Sequence, residues 1–402
     1  MTPGPASDPA ARSHRFQLVD AMRAIAACSV LVLHVAGAAD KLGPHAFGSS
    51  YLQRLNVGVW IFFVISGFVL FRPFAVSHLR GEPEPRTGAY AWRRALRIVP
   101  AYWVALAISG VAIPGMLYLR NIPWTFGFAQ IYRGSQAGMG IFPAWTVCVE
   151  VTFYIFLPFY SILIGRLARR PGSWLRAELS GLAVLFAIGI AYRLAIYGGG
   201  GRHVNHLAAG NFLPGWFDLF SLGMALAVVQ VWVQSKPALP HPVRLIDRFP
   251  AGCWLVAAVA FWYLSTQCGL AQQPDYSRWT KTQILDEHWL LAVVAVAVML
   301  PAVLGNPRRG LVRRFLGHRW MLWLGAVSYG VYLWQSSWLL ELKRLGLGPG
   351  PAGVTAQWLV FGIGGTLALG AASFRWVERP AQRLSRLGDR AADRRIAIPA
   401  ET

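Results

Sequence analysis

QLVDAMRAIAACSVLVLHVAG, residues 17–37, sets an apolar run against three ionisable side chains. Asp20 and Arg23 stand near its start and His34 near its end, with apolar or small residues from Ala24 to Leu33 between them. The run is close to the ~20 residues that a helix needs to cross a bilayer. Inside such a run every ionisable group is costly and marks a functional hypothesis. Arg23 and His34 are eleven residues apart, which on a helix is about 1,100° of rotation, roughly 20° past three turns, and ~16 Å of rise. They therefore share one face at two depths. Ala36-Gly37-Ala38 has the small-residue character of a cleavage site, but cleavage discards His34 and the run carries Arg23, so the segment reads as a retained first span.

Composition agrees with a membrane. The chain has 402 residues, 55% hydrophobic and 14% charged, with 18 Trp, where soluble domains carry about a quarter charged residues. Nine further windows approach spanning length: Asn56 to Phe74, Ile98 to Leu119, Pro143 to Gly165, Ala177 to Tyr197, Phe212 to Val233, Ala251 to Leu270, His288 to Leu304, Trp320 to Leu340 and Val354 to Phe374. The expected fold is all-α, a polytopic integral membrane protein of about ten transmembrane helices. Residues 1–16 read as a disordered cytoplasmic tail, 17–375 as one transmembrane domain and 376–402 as a basic cytoplasmic tail. With the N-terminus inside, inner segments hold 27 Lys and Arg and outer segments 9. Cytoplasmic loops carry that excess, so both termini are expected inside, in a multi-pass protein of the bacterial cytoplasmic membrane. The net charge of +21 thereby belongs to orientation and to anionic membrane lipid rather than to nucleic acid.

Topology assigns depth to the polar residues. Arg93, Arg94 and Arg97 gather at the inner mouth of the third span, just before Pro100. Arg94 and Arg97 share a helical face, and paired guanidinium groups suit phosphate. Positive-inside stop signals read the same way, so a phosphate-bearing cytoplasmic ligand competes with simple orientation. Toward the outer side lie His34 and Glu150, a plausible base and orienting partner, each with a rival role in helix-to-helix hydrogen bonding. Asp218 and Arg193 are expected to pair with each other. Ser66-Gly67 in mid-span reads as close packing rather than a nucleophile, while Ser328, Tyr329 and Gln335 are placed to line a cavity. His203 and His206 have minimal metal spacing without a third ligand, and no metal is expected. The four cysteines fall in apolar runs as buried thiols without disulfides. The aromatic stretch from Arg120 to Phe142 is a candidate interfacial segment or cap over an external site. No internal repeat stands out, which argues against a transporter built from duplicated halves.

These blocks, in this order, resemble the membrane acyltransferase-3 family, which acylates hydroxyls of sugars and other acceptors. The residues that carry the likeness are Asp20-Ala-Met-Arg23 with His34, Phe62 to Phe68, Arg93 to Trp103, Trp145 to Tyr154 with Glu150, Ser328 to Gln335, and Val377-Glu378-Arg379-Pro380. The resemblance implies acyl-CoA, acetyl-CoA foremost, as a cytoplasmic co-substrate with no permanently bound cofactor. It places donor phosphates near Arg93, Arg94 and Arg97, and catalytic roles on His34 and Arg23. Three departures stand out: Ala21 where Gly is usual, Val151 where a second acid often follows Glu150, and Gln335 where His is common. No hydrolase-like extracellular domain of the kind some relatives carry follows in this sequence, so a second transfer is expected to need another protein.

The expectation is therefore O-acyl transfer to a hydroxyl of a glycan or other sugar-containing acceptor, as in polysaccharide modification of the cell envelope. His34 acts as general base, Glu150 and Arg23 assist, and Asp20, Ser66, Tyr329 and Gln335 contact substrate. Two alternatives stay open: a transporter or flippase for a lipid-linked glycan with His34, Glu150 and Asp218 as proton relay, or acylation of a small secondary metabolite such as a macrolide.

Overall fold

The computed structural model describes residues 9–43, 46–133, 138–168, 172–197, 209–270, 278–348 and 352–385. It is an all-α membrane protein, and no strand occurs among the described residues. The long helices are α1 (Pro9–Ala38), α2 (Val57–Arg80), α3 (Thr87–Ala112), α4 (Trp145–Ala168), α5 (Trp174–Tyr197) and α6 (Phe217–Gln234). They continue as α7 (His241–Arg248), α8 (Pro250–Thr266), α9 (Lys281–Val303), the short α10 (Leu311–Leu316), α11 (Arg319–Arg344) and α12 (Gly364–Ser373). Their ends follow local chemistry. Gly81 adopts φ 64° and stops α2, a conformation that glycine reaches without a Cβ clash. Thr280 opens α9 with a capping box, its Oγ1 accepting from Gln283 N at 3.2 Å while Gln283 Oε1 accepts from Thr280 N at 3.0 Å.

Among the described residues eight helices are long and apolar enough to cross a membrane, or nine if α7 and α8, bent by 85°, form one broken span. The expected span Trp320 to Leu340 lies in α11, outside that count. The reason is chemical: its middle carries Ser328, Tyr329, Tyr332, Gln335, Ser336 and Ser337, several of which face the protein interior. The first helix starts at Pro9, so half of the expected N-terminal tail is helical, while residues 376–385 extend the last helical segment rather than opening a tail.

The centre is α2 packed on α6. Gly67 abuts the backbone of Phe220 and Met224, and Gly223 abuts the backbone of Val64 and Phe68. Phe63, Phe153, Phe220 and Trp216 fill the space beside this contact, with the Phe153 and Phe220 rings stacked at 3.9 Å. Helices α1 and α11 run side by side in the same direction, Gly325 lying on the backbone of Asp20 and Leu339 clustering with Val35. The outward faces are aliphatic, as on α5 (Val184, Ile188) and α8 (Leu255, Val256, Val259), which is how a helix facing lipid reads. All four cysteines are free thiols, but only Cys148 is buried; Cys28, Cys253 and Cys268 are half-buried. The stretch after Arg120 folds back onto α3 and α4. Tyr102 donates to Thr125 O at 2.9 Å, Trp103 Nε1 to Phe126 O at 3.0 Å, and Tyr132 OH meets Thr152 Oγ1 at 2.9 Å.

Candidate active site

A cavity of about 70 Å³ opens between α1, α2, α3, α4 and α11. Arg23, Arg94, Arg97 and Glu150 supply its charge, and Ser66, Tyr154, Tyr329 and Tyr332 most of its hydroxyls. Each comes from an apolar helix that turns its few polar residues inward, the arrangement expected where charge must be kept from lipid. Glu150 Oε1 accepts from Ser66 Oγ and from Tyr154 OH, both at 2.6 Å. It also lies close enough to act electrostatically on Arg23 and Arg94. Arg23 is paired with Asp20 one turn earlier on α1. Arg94 and Arg97 have no carboxylate within ion-pair distance among the described residues. Arg94 Nε is buried without a hydrogen bond, its guanidinium 5.9 Å from the Tyr90 ring. Tyr329 crosses from α11 to donate to Ile98 O at 3.0 Å, tying the arginine helix in place.

His34 lies beyond this cavity rather than in its wall. Its ring meets Phe142 edge-on at 6.2 Å, and the Gln335 side chain is its polar neighbour. His34 Nδ1 and Gln335 Oε1 are both buried atoms without a hydrogen bond of good geometry. A ceiling separates His34 from the arginines. Thr146 Oγ1 and Tyr332 OH meet at 2.8 Å, and Tyr332 OH also donates to Pro143 O at 3.2 Å. Phe62 closes on Tyr332 ring to edge at 5.4 Å. Gln335 is one turn past Tyr332 and Phe142 one turn before Thr146, so the two ends of the ceiling carry the groups around His34.

The expected residues therefore fall into two groups. Arg23, Arg94, Arg97, Glu150, Ser66 and Tyr329 come together. His34 and Gln335 form a second locus, so Glu150 is a counter-charge to arginines and the group beside His34 is Gln335. Arg93 does not line the cavity, and Asp20 reaches it only through Arg23. Asp218 does not join either locus. It meets His288, whose Nε2 is 2.5 Å from Asp218 Oδ2, in a fully buried pair. The expected partner Arg193 is an electrostatic neighbour that bonds Gly215 O and covers the Trp216 ring at 5.1 Å. His203 and His206 lie outside the described residues, and no group of metal-ligating side chains occurs among those described.

Tyr154, Tyr332, Thr146 and Glu378 were not singled out by sequence reasoning. Glu378 is buried next to Arg97 and Tyr329, with Ser373 Oγ donating to it at 3.2 Å. It sits in a π-helical turn, Phe374–Glu378, and such turns often accompany functional sites. Its place in the Val377-Glu378-Arg379-Pro380 block was the one available signal.

Comparison with known proteins gives one family match: the model described as an acyltransferase domain aligns with residues 16–375. The chain is 22% identical over 390 residues to a peptidoglycan O-acetyltransferase, OatA, of Listeria monocytogenes, covering 91% of this chain and 55% of that protein. It thus spans about half the length of that relative. It is 26% identical to nodulation protein 10 of Rhizobium leguminosarum, covering 91% and 93% of the two chains. It is 25% identical to the exopolysaccharide production protein ExoZ of Rhizobium meliloti, covering 87% and 94%. No solved structure matches the chain.

Proposed function

The chain belongs to the acyltransferase domain family, and from that membership we propose that it moves a short acyl group, acetyl foremost, from cytoplasmic acyl-CoA to a hydroxyl of a glycan. The observation that carries the reading is the pair Arg94 and Arg97, held in a membrane cavity with no carboxylate ion pair among the described residues. Half-buried guanidinium groups without an ion pair favour an anion, and phosphate oxygens match their geometry. The cavity has room for only a handful of waters, at about 10–15 Å³ each. The nucleotide end of the donor therefore stays at the arginine-rich end, and only its thioester arm enters.

The acceptor hydroxyl attacks the thioester carbonyl as His34 takes its proton. Arg23, lying between donor site and ceiling, faces the oxyanion as it develops. The tetrahedral intermediate collapses, the C–O ester bond remains, the C–S bond breaks, and the imidazolium returns the proton to the leaving thiolate. Gln335 orients the imidazole. For His34 to reach the thioester, the Tyr332–Thr146 ceiling opens. The names of two relatives, one acting on peptidoglycan and one in exopolysaccharide production, support a glycan acceptor.

The test uses membranes supplied with acyl-CoA and acceptor. His34→Ala lowers turnover by about 100-fold or more, the usual worth of a general base, and leaves acyl-CoA affinity intact. Arg97→Ala weakens acyl-CoA binding by about tenfold or more, as loss of a charged hydrogen bond does. Full turnover in His34→Ala removes the base from this scheme, and unchanged affinity in Arg97→Ala moves the donor site elsewhere. Release of CoA without a proton gradient separates the enzyme from a proton-coupled transporter.

A further inference from the structure

At the arginine-rich end, a second hollow of about 440 Å³ lies between the connection after α9 and the start of α11. It shares no lining residue with the central cavity. Arg308, Arg313, Arg314, His318 and Arg319 surround it.

Arg313 is its floor. That side chain is buried, its Nε donating to Pro301 O and its Nη2 to Leu304 O, both at 2.8 Å. Its Nη1 is 3.3 Å from Asp247 Oδ1, and Arg309 takes the other carboxylate oxygen at 3.3 Å. The local acid is thus occupied on one side. Arg308, Arg314 and Arg319 are exposed, and none has a carboxylate within ion-pair distance among the described residues. Three uncompensated arginines around one concavity make a site for a divalent or phosphate-type anion.

The surroundings narrow the ligand. Leu311 is 78% exposed, Trp320 58% and Phe315 50%, and Trp323 follows one turn along α11. Large apolar side chains exposed beside arginines do not suit a loop facing water alone. Exposed Trp beside basic residues belongs to the level of lipid headgroups. A free phosphate ester or a nucleotide uses the arginines and leaves Leu311 and Phe315 without a partner. A phospholipid uses both.

We propose that this hollow binds the phosphate of an anionic phospholipid, with Arg308, Arg314 and Arg319 on the headgroup and Leu311 and Phe315 against the acyl chains. The claim is independent of the acyl-transfer reading, because retention of lipid is measured without turnover.

The experiment is native mass spectrometry of the full chain in neutral detergent, titrated separately with short-chain phosphatidylglycerol, short-chain phosphatidylcholine and coenzyme A. Phosphatidylglycerol is expected to bind at least tenfold more tightly than phosphatidylcholine. The double variant Arg314→Gln, Arg319→Gln loses that preference at unchanged melting temperature and keeps its coenzyme A affinity. A double variant that still prefers phosphatidylglycerol overturns the proposal. So does one that loses coenzyme A while keeping the lipid, which assigns the hollow to the donor's phosphates. Should the double variant melt early, Arg308→Gln carries the same comparison with the same two outcomes.

Discussion

Glu287 and Glu341 each hold an arginine at 2.8 Å, yet the first pair, with Arg54, is buried and the second, with Arg344, is exposed. Removing a partner from a buried pair strands a charge at a cost of about 3–5 kcal/mol, whereas an exposed pair is worth about 0–1 kcal/mol. Glu287→Ala should therefore lower the melting temperature of the purified protein sharply and Glu341→Ala barely. Equal effects would show that Arg54 finds water or another acceptor when Glu287 is gone. Single residues were legible in sequence when they broke an apolar pattern. Arg23 and Glu150 stood out for that reason, Arg94 and Arg97 as a cluster at the mouth of a span, and the structure gathers all four. Tyr154 and Tyr332 did not, because a tyrosine in a membrane helix is ordinary. Nor did His288, whose partner Asp218 lies 70 residues earlier and leaves no spacing signal. His34 was visible as an anomaly, but its neighbour Gln335 becomes apparent only when α1 and α11 are laid side by side.

Helices were easier to read than their contacts. Each apolar window corresponds to a helix, because backbone groups in lipid must be satisfied within the segment. The weakest case was α11, whose hydropathy is diluted by the residues that line the cavity, so function obscured the signal for structure. Which helices meet depends on small residues, and there the reading of Ser66-Gly67 as packing holds for Gly67 while Ser66 bonds Glu150. Glycines at a helix crossing let backbones approach closely. Gly67→Val should separate α2 from α6, reduce the yield of folded protein and displace Ser66 from Glu150. Gly252→Val on α8, where no atom lies within 4 Å of the added Cβ position, should leave thermal stability near the parent. Comparable melting of both variants would mean that the α2–α6 contact adapts.

At the scale of the whole molecule, orientation follows from the asymmetry of Lys and Arg. A topology reporter inserted in the 306–310 connection should report the cytoplasm and one in the 345–348 connection the outside. The reverse result would invert the donor and acceptor sides. The ceiling of Tyr332 and Thr146 then acquires an electrical meaning. A charged cavity open from end to end would short-circuit the membrane, whereas a closed hydroxyl plug makes most of the transmembrane voltage fall across a few ångströms at Tyr332. Moving one elementary charge through that drop costs about 2.3 kcal/mol per 100 mV. In the proposed reaction an acyl group passes the plug in exchange for the acceptor's proton, an electroneutral swap, while the coenzyme keeps its phosphates at the arginines. On that scheme the membrane potential neither drives the transfer nor opposes it.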